Sequence, residues 1–273
     1  MLLDCSNHRS IKESICSIFR ITSADLTSKL QSFTIGENED EECIGKRIYT
    51  CLIKNYTPAA TIDILWFHGT LSNDPKTFYY SGLKRRSLMK SSMRTYLYSC
   101  ASSLNNLEAV NDDNSADRTG KVTNEGPFGY LINLDLYNDD SRPVDYSKEP
   151  ELITDLVKEL FNDARSPSII ESYKRNLKSY DVAFISDLNA DKMVRNGSLL
   201  KDLQEGVLSL ALGVLKFLEV NRPLMNNNNL AFNGDGININ PDQIVRVVIP
   251  KRSEYDETGE TIQAITFPAW PDN

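Results

Sequence analysis

Residues 61–67, Thr-Ile-Asp-Ile-Leu-Trp-Phe, constrain the fold of this chain more than any other stretch. Ile62, Ile64, Leu65, Trp66 and Phe67 leave almost no polar face. A strand built from them has to be covered on both sides and lie centrally in a sheet. His68, Gly69 and Thr70 follow directly. A histidine emerging from the end of a buried strand is held rigidly, a glycine lets a ligand approach the backbone, and a threonine adds a hydroxyl. Such a corner suits something flat and polar.

The rest of the chain supplies elements around that strand. Residues 10–19 and 23–30 are expected as short helices, the second with Thr22 or Ser23 as N-cap. The acidic run 37–42 then marks a boundary, giving a helical N-terminal leader at 1–43 and a main domain at 44–273. Strands are expected at 47–54 and 61–67, parted by a turn-prone stretch at 55–60. A helix over 74–82 has Pro75 at its first position and Gly82 as a stop, and another helix begins near Lys84. Residues 111–126 carry almost no apolar side chains and read as an exposed loop. A strand at 130–136, helices at 149–161 and 167–176, and a short strand at 181–185 follow. Leu199, Leu200, Leu203, Val207, Leu210, Val214 and Phe217 recur near helical spacing, which predicts a long helix over 198–220. Strands at 230–232, 244–249 and 261–267 close the chain, the last two joined by a polar turn at 253–260. The irregular order of strands and helices predicts an α+β fold and not a doubly wound sheet.

A length of 273 residues fits one catalytic-size domain, and 40% hydrophobic with 25% charged residues is the composition of a chain that folds. The net charge of -8 argues against a nucleic-acid binder that works by neutralising phosphates. Lys84, Arg85, Arg86, Lys90 and Arg94 form a local basic run that reads as a solvated helix face. The five cysteines form no CxxC pair and there are only two histidines, so no metal site is expected and the thiols are read as reduced. No stretch of 18 apolar residues could span a bilayer, and the N-terminus lacks a secretory signal. The Ser/Thr/Asn/Ile-rich first 35 residues are compatible with the leader of a bacterial type III effector. A G-x-S-x-G elbow and a P-loop are both missing. An EF-hand loop running from Ala231 to Asp242 has the wrong residue at each end.

At TIDILWFHGT, followed by a short helix and Gly82-Leu83, the chain resembles the ADP-ribosyltransferases of the diphtheria-toxin and poly(ADP-ribose) polymerase class. The resemblance implies a split mixed or antiparallel β-core with surrounding helices, and NAD as substrate. It implies that His68 bonds an NAD ribose hydroxyl, that the Gly69 backbone bonds the nicotinamide amide and that Thr70 lines the pocket. The segment RTYLYSCASSLNNLEAV is similar to the family's aromatic strand and helix, which makes Tyr98 the first candidate for stacking on nicotinamide and Tyr96 the second. Tyr130, in GPFGYLI, is a rival if the intervening residues are an insertion. The stretch NNLAFNGDGININPDQIVRVVIP resembles the closing pattern that carries the family's catalytic glutamate, and the expected position falls on Asn228 or Asn229. An asparagine can bond a hydroxyl but cannot place negative charge beside an oxocarbenium-like transition state. Asp235, in a Gly-flanked turn, could supply that charge from a shifted position. Glu205, Glu254 and Glu257 read as surface charges.

The departure at the glutamate implies single-unit transfer and not chain extension. The function implied is that of a mono-ADP-ribosyltransferase, a pentosyl transferase moving ADP-ribose from NAD to a protein acceptor. A bacterial toxin or host-directed effector fits, made in the cytoplasm and delivered into a host by a specialised secretion system, with ubiquitin one candidate acceptor. The alternatives are a binding module that keeps the NAD pocket without catalysis and a transferase of the same fold acting on nucleic acid, which the net charge disfavours.

Overall fold

The computed structural model describes residues 1–104, 126–137, 151–161, 166–175, 177–187, 193–195, 198–199, 203–225, 229–234, 236–250 and 266–267. In chain order these form β1 (Leu2–Leu3), α1 (His8–Phe19), α2 (Ser23–Gln31), α3 (Glu41–Leu52), β2 (Asp63–Ser72), α4 (Thr77–Ser81) and α5 (Arg86–Ser103). Then come β3 (Phe128–Tyr130), α6 (Glu151–Leu160), α7 (Ser166–Lys174), β4 (Lys178–Asp187), β5 (Met193–Arg195) and β6 (Ser198–Leu199). The chain continues through α8 (Leu203–Glu219), β7 (Ala231–Asn233), β8 (Ile244–Val248) and β9 (Thr266–Phe267). The fold is α+β. It divides into two compact units: Met1–Phe67, Phe128–Val144 and Ala183–Asn233 form the first, and His68–Pro127, Asp145–Val182 and Gly234–Asn273 the second. β2 and β4 each contribute residues to both.

The first unit is helices α1, α2, α3 and α8 with strands in the order β6-β5-β7-β3-β2-β4. β1 pairs in parallel with β2, Leu2 opposite Asp63 and Leu3 opposite Ile64. β3 runs antiparallel to both neighbours, with Tyr130 opposite Phe67 on β2 and opposite Ala231 on β7. α1 starts where the Asn7 side chain accepts the Ser10 N–H at 3.0 Å, and it buries Ile11, Ile15 and Ile18 along one face. α2 starts at Thr22, whose hydroxyl accepts the Asp25 N–H at 3.1 Å. α3 and α8 approach until backbone meets backbone. A Cβ added at Gly45 would lie 1.9 Å from the Ser209 carbonyl oxygen, and one added at Gly213 would lie 1.7 Å from that of Glu41. Small residues are required at such a crossing because any side chain would force the helices apart. Beyond the helices, Trp66 and Phe184 each pack on Phe232, with ring centroids 5.6 and 5.4 Å away. Gly129 lets β3 pass close beneath Trp66 and Phe184.

The second unit has a core where α5, α6 and α7 meet: Leu97, Cys100 and Ala101 from α5, Ile153, Leu156, Val157 and Leu160 from α6, and Ile169 and Tyr173 from α7. Leu71 of β2 packs against it. α5 and α6 are also joined by charge. Arg86 lies 2.5 Å from the Asp155 carboxylate, Lys90 lies 3.3 Å from Glu159, and Arg94 bonds Glu159 as well. The basic residues recur every four positions on α5 and the acidic pair every four on α6, so one helical face meets the other. Three of the five cations read as a solvated face are therefore engaged between helices. The strand order in this unit is β2-β4-β8-β9, with Val247 opposite Phe267 across the last pair.

Several elements differ from those expected. The strand expected at 47–54 is the C-terminal part of α3, because the Asp40 carboxylate caps the helix by accepting the Cys43 N–H at 2.8 Å and Ile44, Ile48 and Leu52 all fall on one buried face. The strand expected at 130–136 ends at Tyr130 and gives way to a single 3-10 turn, Leu134–Leu136. The long helix begins at Leu203 and not at 198, where Ser198–Leu199 is strand β6. Within residues 1–43, β1 extends the sheet, and Lys12 of α1 bonds Glu219 at the end of α8 at 2.8 Å. The expected loop at 111–126, apart from Gly126, and the turn at 253–260 lie outside the described residues.

Candidate functional site

His68, Gly69 and Thr70 do not stand at a strand end. β2 continues through them to Ser72, and all three are half-buried. The chain then turns under local control: the Ser72 hydroxyl accepts the Asp74 N–H at 3.1 Å and the Asp74 carboxylate accepts the Lys76 N–H at 3.0 Å. The Asp74 carboxylate, together with the larger effect of burial, raises the Tyr180 hydroxyl above its usual range.

α4 is shorter than expected, Thr77–Ser81, and stops at Gly82 with a φ of 65°. That conformation favours glycine, and a Cβ there would sit 1.9 Å from the Ile239 carbonyl oxygen. Leu83 and Ile239 exchange two backbone hydrogen bonds, each 3.0 Å. The Asn238 side chain accepts the Arg85 N–H at 2.8 Å, and the Tyr79 hydroxyl accepts the Val247 N–H at 3.0 Å. Gly82-Leu83, noticed as part of a motif, thus ties the α4–α5 elbow to the segment before β8. Tyr79 and Asn238, which complete the tie, carry no pattern in the sequence that distinguishes them from other surface residues.

Tyr96 and Tyr98 are not on a strand. Both lie on α5, whose buried positions Leu97, Cys100 and Ala101 follow helical spacing, and the short Tyr-Leu-Tyr alternation is overridden by that longer pattern. The Tyr98 ring packs edge-on against Phe161 with centroids 5.7 Å apart, and the Tyr96 ring packs against Tyr173 at 5.6 Å. Tyr98 and Leu71, one residue past Thr70, both pack on the α5–α6–α7 core.

Tyr130 and Asn229 belong to the first unit and stand close together. Asn229 accepts the Ile132 N–H at 2.9 Å through Oδ1 and donates to the Ile132 carbonyl oxygen at 2.8 Å through Nδ2. With the Leu131 N–H bonding the Leu230 carbonyl at 2.9 Å, the side chain continues the β3–β7 ladder one step past the strands. One acceptor site and one donor of the amide remain after this clamp. Asn228 and Asp235 lie outside the described residues. Gly234 and Gly236 donate to the carbonyls of Pro127 and Gly126 at 2.9 and 3.0 Å.

Among the described residues no group of three or more His, Cys, Asp or Glu side chains could hold a metal ion. No helix among them is long and apolar enough to cross a membrane. Compared with models of known protein families, with curated proteins and with solved structures, the chain matches none.

Proposed function

We propose that this chain is a mono-ADP-ribosyltransferase that moves ADP-ribose from NAD to a protein acceptor. The observation that carries the reading is the sequence of devices along residues 61–83: a strand buried from Ile64 to Phe67 leading into His68-Gly69-Thr70, a short helix, and Gly82-Leu83 held in a fixed geometry. The antiparallel pairings that dominate the sheet accord with the split β-core implied by the resemblance. On this reading His68 orients the nicotinamide ribose, Gly69 and Thr70 line the pocket, and one of Tyr96, Tyr98 and Tyr130 stacks on the nicotinamide. In the reaction the nicotinamide–ribose bond breaks, its electron pair leaves with the neutral nicotinamide, and the ribose carbon bonds an acceptor nucleophile that gives up its proton. Negative charge beside the developing oxocarbenium would assist, and Asp235 is the proposed source. The proposal includes action as a toxin or effector delivered into a host, with ubiquitin as one acceptor to test.

A second reading, a binding module that retains the pocket without catalysis, is favoured by Asn229. It is one of the two residues at the expected glutamate position, Asn228 or Asn229, and it spends much of its amide on the Ile132 backbone. The two separate in one experiment. Biotin-labelled NAD is incubated with the folded protein and host lysate or purified ubiquitin, and NAD binding is measured by calorimetry. Transferase activity gives labelled bands that disappear in His68→Ala. Binding without label leaves the module reading, and neither binding nor label sinks both.

A further inference from the structure

We infer that the α4–α5 elbow is a docking surface for an acidic protein segment that carries apolar side chains between its carboxylates. The inference is independent of the NAD reading.

The elbow is rigid. Gly82 packs directly on the Ile239 carbonyl, the Leu83–Ile239 bond pair closes the turn, Asn238 holds the Arg85 amide, and Tyr79 holds the Val247 amide. A surface fixed in this way loses little conformational freedom when it is covered.

On this scaffold stand Tyr80, 65% exposed, Leu88, 51% exposed, and Ile237, 69% exposed. Single exposed apolar residues are common and need no explanation. The antiparallel Leu83–Ile239 bridge sets Ile237 opposite Arg85, Leu88 follows three residues later in the first turn of α5, and Tyr80 lies two residues before Gly82. Ile237 and Leu88 thus flank the Arg85 position on a rigid turn, an arrangement suited to an interaction site.

Charge selects the partner. Lys84 and Arg85 are exposed and form no ion pair among the described residues, whereas Arg86, Lys90 and Arg94 are matched by Asp155 and Glu159. Two exposed cations without ion pairs among the described residues, beside apolar groups, complement a segment with a few carboxylates. A nucleic acid would call on many more cations and would not use the apolar side chains.

The test is fluorescence anisotropy of the full chain with a fluorescein-labelled nonapeptide, Asp-Glu-Leu-Asp-Glu-Phe-Asp-Glu-Leu. Saturable binding is expected, weakened about tenfold by the double substitution Lys84→Glu, Arg85→Glu and several-fold by Ile237→Ser or by replacing the peptide's apolar residues with serine. Lys54→Glu, an exposed change in the first unit, should leave binding unaltered. Circular dichroism melts confirm that each variant folds. The proposal is overturned if the peptide does not bind, if the elbow substitutions leave its affinity unchanged, or if a single-stranded oligonucleotide or phosphatidylserine vesicles bind the elbow more tightly than the peptide does.

Discussion

A methyl group placed on Gly213 would stand 1.7 Å from the carbonyl oxygen of Glu41, because α8 and α3 touch through their backbones at that point. The obstacle is backbone and cannot rotate away. Gly213→Ala should therefore destabilise the protein by about 3 kcal/mol, the upper part of the usual overpacking range. Gly36→Ala is the control: its nearest neighbour would be 3.5 Å away, an ordinary contact, so a change within about 0.5 kcal/mol is expected. Urea unfolding of the two variants beside the parent checks the pair.

Glu159 serves two cations while only 5% of its side chain reaches solvent. Glu159→Gln should leave Lys90 and Arg94 facing a neutral amide and cost about 1–3 kcal/mol, less than for a fully buried pair because both cations reach water. Asp155→Asn, at a carboxylate 34% exposed, should cost about 1 kcal/mol or less. Equal losses at the two positions would show that the shared carboxylate has no special weight.

Burial, with smaller contributions from Tyr96 and Cys100, pushes the Tyr173 hydroxyl up to about 12. The folded state holds this proton more tightly than the unfolded state, whose phenol ionises near its ordinary value of about 10. The linked stability is thus fully present below pH ~10 and is lost as pH rises towards about 12. Tyr173→Phe keeps the ring in the core and removes the ionisation. Its thermal midpoint should fall less steeply over that alkaline window than the parent's.

Asn229→Asp replaces the amide that donates to Ile132 with a carboxylate that cannot. The Ile132 carbonyl then faces a negative oxygen in place of the Nδ2 donor 2.8 Å away. A loss of about 1–3 kcal/mol is expected, larger at neutral pH than in acid, where the protonated carboxyl can donate again. Chemical denaturation at the two pH values tests it. If the Asn229→Asp protein is as stable as the parent at neutral pH, the clamp contributes little.

Where an element is governed by its own residues, it is legible in the sequence. Thr22 marks the start of α2, the apolar repeat of α8 gives that helix, and Ile64 to Phe67 give a strand with no exposed face. Where a distant partner decides, local pattern fails. The stretch Arg47, Ile48, Tyr49, Thr50 looks like a strand because β-branched and aromatic residues favour one, yet Gly45 meets α8 and Ile48 is buried at helical spacing from Ile44 and Leu52. Tyr98 is legible as an aromatic candidate but not as the ring partner of Phe161, just past the end of α6. Asn229 is legible as a departure at a motif position. Its bonds to Ile132 depend on strand pairing across 97 residues, which no local spacing encodes.

The salt bridge between Lys12 and Glu219 joins residues 207 positions apart. On a ribosome adding roughly 5–20 residues per second, α1 waits about 10–40 s for the helix it rests on to be made. During that interval α1 lacks its native contact with α8, although Ile11, Ile15 and Ile18 on it are buried in the finished fold.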